Sequence, residues 1–276
     1  MLGTSLLPYL SKKGHEVLGH GRSGLYAADL NNAQATLTLL RRTAPEVVIN
    51  LVGLTDVEGC ETHPKEAWLA NVLSVENVAV ACLAVGAHLV HVSTDHVYDR
   101  DPVSDESQAC PGNYYALSKY AGELAARSAG ATVLRSNFFG RSRHQSRRSL
   151  TDWLFGALSG GQHLQVFDDV RFSPLSLTTL CEMVELVSAK REGGIFNLGS
   201  HDGMSKADFA FAFAESLGLP TGNMQRSLAA EASFLKAWRP KSMCMDSTRF
   251  EKVFDQILPD LKAEIQLAAK DYRETA

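Results

Sequence analysis

No stretch of this chain reaches the roughly 18 consecutive apolar residues that a membrane-spanning helix requires. The first residues hold no basic segment followed by an apolar run, so neither a membrane partner nor a secretion signal is expected. Cysteine is scarce, five in 276 residues: Cys60, Cys82, Cys110, Cys181 and Cys244. The count is odd and no two form a C-x-x-C pair. That argues against a disulfide framework or a thiolate zinc site, and for reduced thiols in the cytoplasm. Positive charge is not in excess: the net charge is −4 and the pI about 6.1, so the basic footprint of a nucleic-acid binder is missing. Long linkers, internal repeats and low-complexity tracts are absent too. His88, His91 and His96 lie close together in sequence, but strand alternation sends the first two to opposite faces, and no metal site is expected.

What the chain does have is a regular alternation. Three apolar, β-branched runs stand out: Val47 to Gly53, His88 to Ser93 and Thr132 to Ser136. Each follows a helical pattern, respectively Ala33 to Arg42, Glu66 to Val85 and Tyr115 to Ser128. Strands alternating with helices predict a parallel sheet covered on both faces, an α/β fold. An earlier run, His15 to Gly19, follows a helix predicted over Ser5 to Lys13, and Leu25 to Asp29 reads as a short edge strand. After Gly140 the pattern changes. A polar, basic loop from Arg141 to Arg148 leads into predicted helices over Leu150 to Ser159, Ser176 to Ala189 and Ser205 to Leu217, with strands at Leu164 to Phe167 and Gly194 to Leu198. The adjacent acids Asp168 and Asp169 read as turn residues. The expected division is a dinucleotide-binding unit over 1–140, with sheet elements returning from about 176–198, and a substrate lobe made mainly of 141–276.

In an open parallel sheet, ligands bind beyond the carboxyl ends of the strands. Small or polar residues stand at those ends: Gly53-Leu54-Thr55, Ser93-Thr94-Asp95 and Ser136-Asn137. One loop after the second of them comes Tyr115-Ala116-Leu117-Ser118-Lys119. Positions i and i+4 share a helix face, so Tyr115 and Lys119 sit side by side. A free phenol, with a pKa of about 10, is a poor proton carrier near neutrality. A neighbouring ammonium favours the phenolate, and lowering the pKa by about 3 units takes roughly 4 kcal/mol of differential interaction. Hydroxyls at a strand end facing such a pair form a kit for moving a proton to or from a carbonyl.

Several segments, in order, resemble one known family: Asn50 to Glu61, Asn71 with Asn77, Ser93 to Asp99, Tyr115 to Glu123, Leu134 to Gly140, Phe167 to Pro174 and Arg239 to Asp246. They look like the extended short-chain dehydrogenase/reductase family, in its dTDP-4-dehydrorhamnose reductase-like branch. The resemblance implies a Rossmann-type doubly wound sheet with a smaller C-terminal substrate lobe. It implies reduction of the 4-keto group of a nucleotide-activated deoxysugar by NADPH, with NADH as the alternative donor. Related dehydratases carry Asp-Glu after the threonine to carry out an elimination; here His96 follows Asp95, so simple reduction is expected. Tyr115 would protonate the developing alkoxide, Lys119 would tune it and bond the nicotinamide ribose, and Thr94 would polarise the carbonyl. Gly3, Gly53, Leu54, Thr55, Asn71, Ser93, Asn137 and Phe138 would line the cofactor together with Tyr115 and Lys119, and Arg22 would meet a 2′-phosphate. Thr94, His96, Phe138, Arg171 and Arg239 would face the sugar nucleotide. A homodimer is one assembly this reading allows. Rival readings are an epimerase on the same frame and a non-catalytic regulatory subunit.

The family opens with a buried strand and a glycine-rich turn that sets the pyrophosphate at a helix N-terminus. In this chain only Gly3 matches that region. The missing strand would bury side chains worth roughly 6–15 kcal/mol. The expectation is therefore that in-frame coding sequence upstream of Met1 supplies it, and that the polypeptide as given binds NADPH poorly.

Overall fold

A computed structural model describes the chain except Arg22, Asp101, Gln145, Ser146, Ser233, Phe234, Thr275 and Ala276. Its centre is a four-stranded parallel sheet in the order Val47–Asn50, His88–Val92, Thr132–Ser136, Gly194–Leu198. Val47 lies opposite His88, Val90 opposite Thr132, and Thr132 opposite Gly194. Parallel strands need crossover helices, and those helices cover both faces. Alternation along the strands decides what each face buries. Val90, Val92, Leu134, Phe196 and Leu198 pack toward the helices Leu2–Lys12 and Leu177–Lys190. On the other side Leu89 and Val133 meet Ala33–Thr43 and Ser74–Val85. Leu2, Leu6 and Leu10, spaced by four, form the buried stripe of the first helix.

Near the N-terminus the structure departs from the sequence reading. Residues 15–19 and 25–29 form no strand. Val47–Asn50 pairs only with His88–Val92 among the described residues, and three of its four residues are only half-buried. A strand is held by its ladder to a neighbour, and residues 15–19 have none. Elsewhere the periodicity holds: Leu150–Ser159, Leu164–Phe167, Thr132–Ser136 and Gly194–Leu198 carry the expected bounds.

Pro64–Val85 is one 22-residue helical stretch with a π turn at Leu69–Leu73. By length and composition alone it could cross a membrane, which the search for uninterrupted apolar runs did not anticipate. Half of its most apolar window is buried within the protein, as for a helix packed against its own sheet.

The remaining elements gather around a third cluster, in which Phe139, Leu154, Phe172, Phe209, Phe213 and Tyr272 are buried. A short sheet there joins Ser242–Met243, Arg171–Phe172 and Met204–Ser205.

Candidate active site

The Tyr114–Ser128 helix begins at Asn113, whose side-chain oxygen accepts the Ala116 N–H at 2.8 Å. Its approach to the π turn needs Gly122, because a Cβ there would stand 2.2 Å from the Asn71 carbonyl oxygen. That packing leaves Tyr115 buried beside Cys60 and Leu54. The Thr94 hydroxyl acts on the phenol, pulling its pKa down against burial, and the His96 ring meets the Tyr115 ring edge-on with centroids 5.4 Å apart. Thr94, His96 and Tyr115 thus converge at the end of the His88–Val92 strand.

Lys119 does not do what the i, i+4 spacing predicts. Its Nζ donates to the Val92 carbonyl at 2.9 Å, reaching down to the sheet. The Tyr115 pKa is raised, not lowered: burial raises it most, the Thr94 hydrogen bond opposes, and the Asp95 charge adds to the rise. Expected acidification by the lysine is therefore corrected. A shared helix face brings two side chains near each other, but the longer one takes the nearest buried acceptor. The Lys119 ammonium is itself brought down to about 8 by burial, against the pull of Glu123.

Ser93 takes the face opposite Thr94, as strand alternation expects, and so leaves the cofactor lining that the resemblance assigned it. Its hydroxyl donates to Glu123 at 2.5 Å, inside a buried network in which Arg135 grips the same carboxylate at 2.7–3.1 Å. One position along the strand reverses the face, so Ser93 points to the interior while Thr94 lines the cleft.

Asn71 clasps the turn that follows the first strand. Its Oδ1 accepts the Leu54 N–H at 2.7 Å, and its Nδ2 donates to the Leu54 carbonyl and to Ser118 Oγ. A Cβ on Gly53 would come within 2.9 Å of Asn71 Oδ1 and 3.7 Å of Lys119 Nζ. Glycine there lets the Asn71 amide close on the turn, with the Lys119 ammonium next to it. Thr55, next in the turn, is exposed. Gly3 sits in the first turn of the first helix, close to Leu51. Phe138 is half-buried against the core. Arg22 lies outside the described residues.

Of the two arginines assigned to the substrate, only Arg239 comes to this group. It pairs with Glu58 at 2.7 Å, leaves Nη1 buried without a partner, and its charge reaches His96 and Lys206. Arg171 is exposed and donates to the Gly203 carbonyl at 2.7 Å, where it ties down a turn. Residues 236–242 cross the cleft mouth, with Glu58 accepting from the Lys236 and Ala237 amides and Asp99 from Trp238 Nε1 and the Lys241 amide.

Three participants carried no role in the sequence reading. Asp95 is buried, bonded to Thr94 and to Asn137, and burial pushes its carboxyl up to about 6 against the pull of those bonds and of Lys206. Lys206 heads the helix Lys206–Ser216 and faces Asp95 from the C-terminal lobe. Glu58 anchors Arg239. Asp95 was legible as a strand-end carboxylate next to Thr94; nothing in the sequence brings Lys206 across more than a hundred residues to meet it. His96 is held neutral, its pKa brought down to about 3 by burial and by the Lys206 and Arg239 charges. Among the described residues no cluster of metal-ligating side chains occurs.

A family profile described as RmlD substrate binding domain matches residues 1–274. The chain is 26% identical to a probable low-salt glycan biosynthesis reductase of Haloferax volcanii, over 99% of this chain and 96% of the relative. It is 29% identical to a dTDP-4-dehydrorhamnose reductase of Mycobacterium tuberculosis, over 79% of this chain and 72% of the other. It is also 26% identical to methionine adenosyltransferase 2 subunit beta of Xenopus laevis, over 92% and 79%. In fold it superposes on a dTDP-4-dehydrorhamnose reductase of Bacillus anthracis in complex with NADP, with a TM-score of 0.89 at 22% identity, over 99% of this chain and 95% of that one. The chain belongs to the RmlD substrate binding domain family, the dTDP-4-dehydrorhamnose reductase-like branch of the extended short-chain dehydrogenases/reductases.

Proposed function

We propose that this protein is a cytoplasmic reductase that converts the 4-keto group of a nucleotide-activated deoxysugar to an alcohol, with NADPH as donor and NADH as the alternative. The observation that carries the reading is the meeting of Thr94, His96 and Tyr115 at the carboxyl edge of the sheet, next to the Gly53–Leu54 turn and Lys119. The Gly53–Leu54 turn and Lys119 would hold the dinucleotide, which when bound supplies the hydride. Thr94 orients the substrate carbonyl by a hydrogen bond to its oxygen. Tyr115 gives that oxygen its phenolic proton as charge develops. Burial keeps the phenol protonated across the neutral range, so its proton is present when needed, although the raised pKa makes it a weak acid and the transfer is driven by the strongly basic alkoxide that hydride addition creates. Arg239, with one guanidinium nitrogen free of partners, would meet an oxygen of the sugar nucleotide.

The test is turnover of several 4-keto sugar nucleotides with NADPH carrying deuterium at the transferred position. Deuterium at C4 of the product supports reduction. Product without label, the cofactor unchanged, overturns it in favour of an epimerase. The relative named as a subunit of another enzyme favours a second reading, a non-catalytic subunit. No turnover with any of the sugar nucleotides, together with a co-purifying enzyme, would establish that one.

A further inference from the structure

Thr94 has one proton and three neighbours that can claim its oxygen. Its Oγ1 accepts the His96 N–H at 3.2 Å, donates to Asp95 Oδ1 at 3.3 Å, and acts on the Tyr115 phenol. The other carboxylate oxygen, Asp95 Oδ2, already accepts from Asn137 Nδ2 at 2.7 Å. Hydroxyl bookkeeping then leaves two states. With Asp95 ionised, Oδ1 can only accept, so the Thr94 proton is drawn to it and away from the cleft. With Asp95 protonated, its O–H donates to Thr94. The Thr94 oxygen then uses both lone pairs on Asp95 and the His96 amide, and its own proton is free to point at a substrate carbonyl.

We infer that Asp95 is a positioning residue: its carboxyl, pinned on one side by Asn137, decides whether the Thr94 hydroxyl donates into the cleft or back to its neighbour. The inference rests on the proposed reduction for its catalytic meaning, but the hydrogen-bond coupling is a property of the protein alone. Asp95 is 1% exposed, so few waters compete for these bonds. The charged and titratable groups facing it are the Lys206 ammonium from the C-terminal lobe and the Tyr115 phenol from the Tyr114–Ser128 helix; His96 follows it in the chain and Arg239 lies near Lys206. Lys206 favours the ionised carboxyl, while burial favours the protonated one and prevails, so both states lie within reach of mild conditions. The protonated state supplies a hydrogen bond that strengthens as charge builds on the carbonyl oxygen, so its effect falls on kcat more than on KM.

Two measurements on the full chain decide it. In the first, protein labelled with carbon-13 at the aspartate carboxyls is titrated by NMR, with the Asp95 signal identified by its loss in Asp95→Asn or, should that variant fail to fold, in Asp95→Glu. Thr94→Val removes a bond from both states, but the one to the ionised carboxylate is the stronger, so the Asp95 midpoint should move up by about 0.5 unit, the difference between a charged and a neutral hydrogen bond. An unmoved midpoint overturns the coupling. In the second, kcat is followed with pH. Wild type should lose about tenfold as pH rises through the Asp95 midpoint, the effect of one lost hydrogen bond to a developing charge. Asp95→Asn, whose amide donates permanently to Thr94, should stay flat over the same interval with KM little changed. An Asp95→Asn profile with the same falling limb overturns the positioning role. If wild type turns over no 4-keto sugar nucleotide, the reduction reading fails, while the substrate-free titration still decides the coupling.

Discussion

Replacing Glu123 by Gln should be among the most destabilising single changes this protein admits. Glu123 and Arg135 are 0% and 1% exposed, and their oxygens and nitrogens meet at 2.7 Å. Arg135 also donates to both carboxylate oxygens through Nε and to the Tyr98 hydroxyl through Nη1, while Ser93 adds a bond to the same carboxylate. An amide of the same shape keeps the volume but removes the counter-charge, leaving a buried guanidinium uncompensated. That costs about 3–5 kcal/mol. For a chain of this size it corresponds to a fall in Tm of roughly 6–20 °C. Urea denaturation should show a lower midpoint with an unchanged slope, because the surface exposed on unfolding is the same. The substitution should also reach the cleft. Glu123 is the charge that holds up the Lys119 pKa, so its loss should lower that pKa further and discharge the lysine at a lower pH. A loss below about 1 kcal/mol, the range of exposed pairs, would show that the pair is hydrated and the packing argument wrong.

Other expectations follow from single contacts. Gly53→Ala should weaken NADPH binding far more than it lowers Tm, because the added Cβ, 2.9 Å from Asn71 Oδ1, must loosen the clasp on Leu54; calorimetric titration of wild type and variant checks this. Asp95 binds its proton more tightly folded than unfolded, with a pKa of about 6 against 3.8. Its contribution to stability is therefore present below pH 3.8 and lost as pH rises through about 6, on the order of 2–4 kcal/mol. Asp95→Asn should accordingly raise Tm at pH 7.5 and change it little at pH 4, as scanning calorimetry at the two pH values would show. Glu58→Gln should raise KM for the sugar nucleotide with little change in kcat, since it frees Arg239 and the 236–242 segment without touching Thr94 or Tyr115; steady-state kinetics separates the two.

The sheet was legible where pairing and pattern agree. Thr132 to Ser136 and Gly194 to Leu198 are apolar runs with parallel neighbours, and both form as read. His15 to Gly19 carries only a weak pattern and has no neighbour to pair with, so local propensity is left without the ladder that makes a strand. The convergence of Thr94 and Tyr115 was readable because each is fixed by a regular element, a strand end and a helix face. The direction of Lys119 was not, because a four-carbon side chain chooses among buried acceptors that only the folded sheet presents. Ser93 followed the period of two, and Glu123, which claims its hydroxyl, lies thirty residues on. Asp95, Lys206 and Glu58 escaped assignment for a related reason. Their importance comes from burial and from charges in another lobe, and neither has a local signature. Arg171 and Arg239 are chemically alike and both lay in matching segments; what separates them is that one guanidinium meets a turn carbonyl and the other stands at the cleft.

The most direct test of the account is Tyr115→Phe, measured for NADPH affinity by calorimetry and for a single turnover by stopped flow with a 4-keto sugar nucleotide. The account predicts cofactor affinity close to wild type and no reduction, since only the proton reaching the carbonyl oxygen has been removed. Reduction by the phenylalanine variant at the wild-type rate would contradict it.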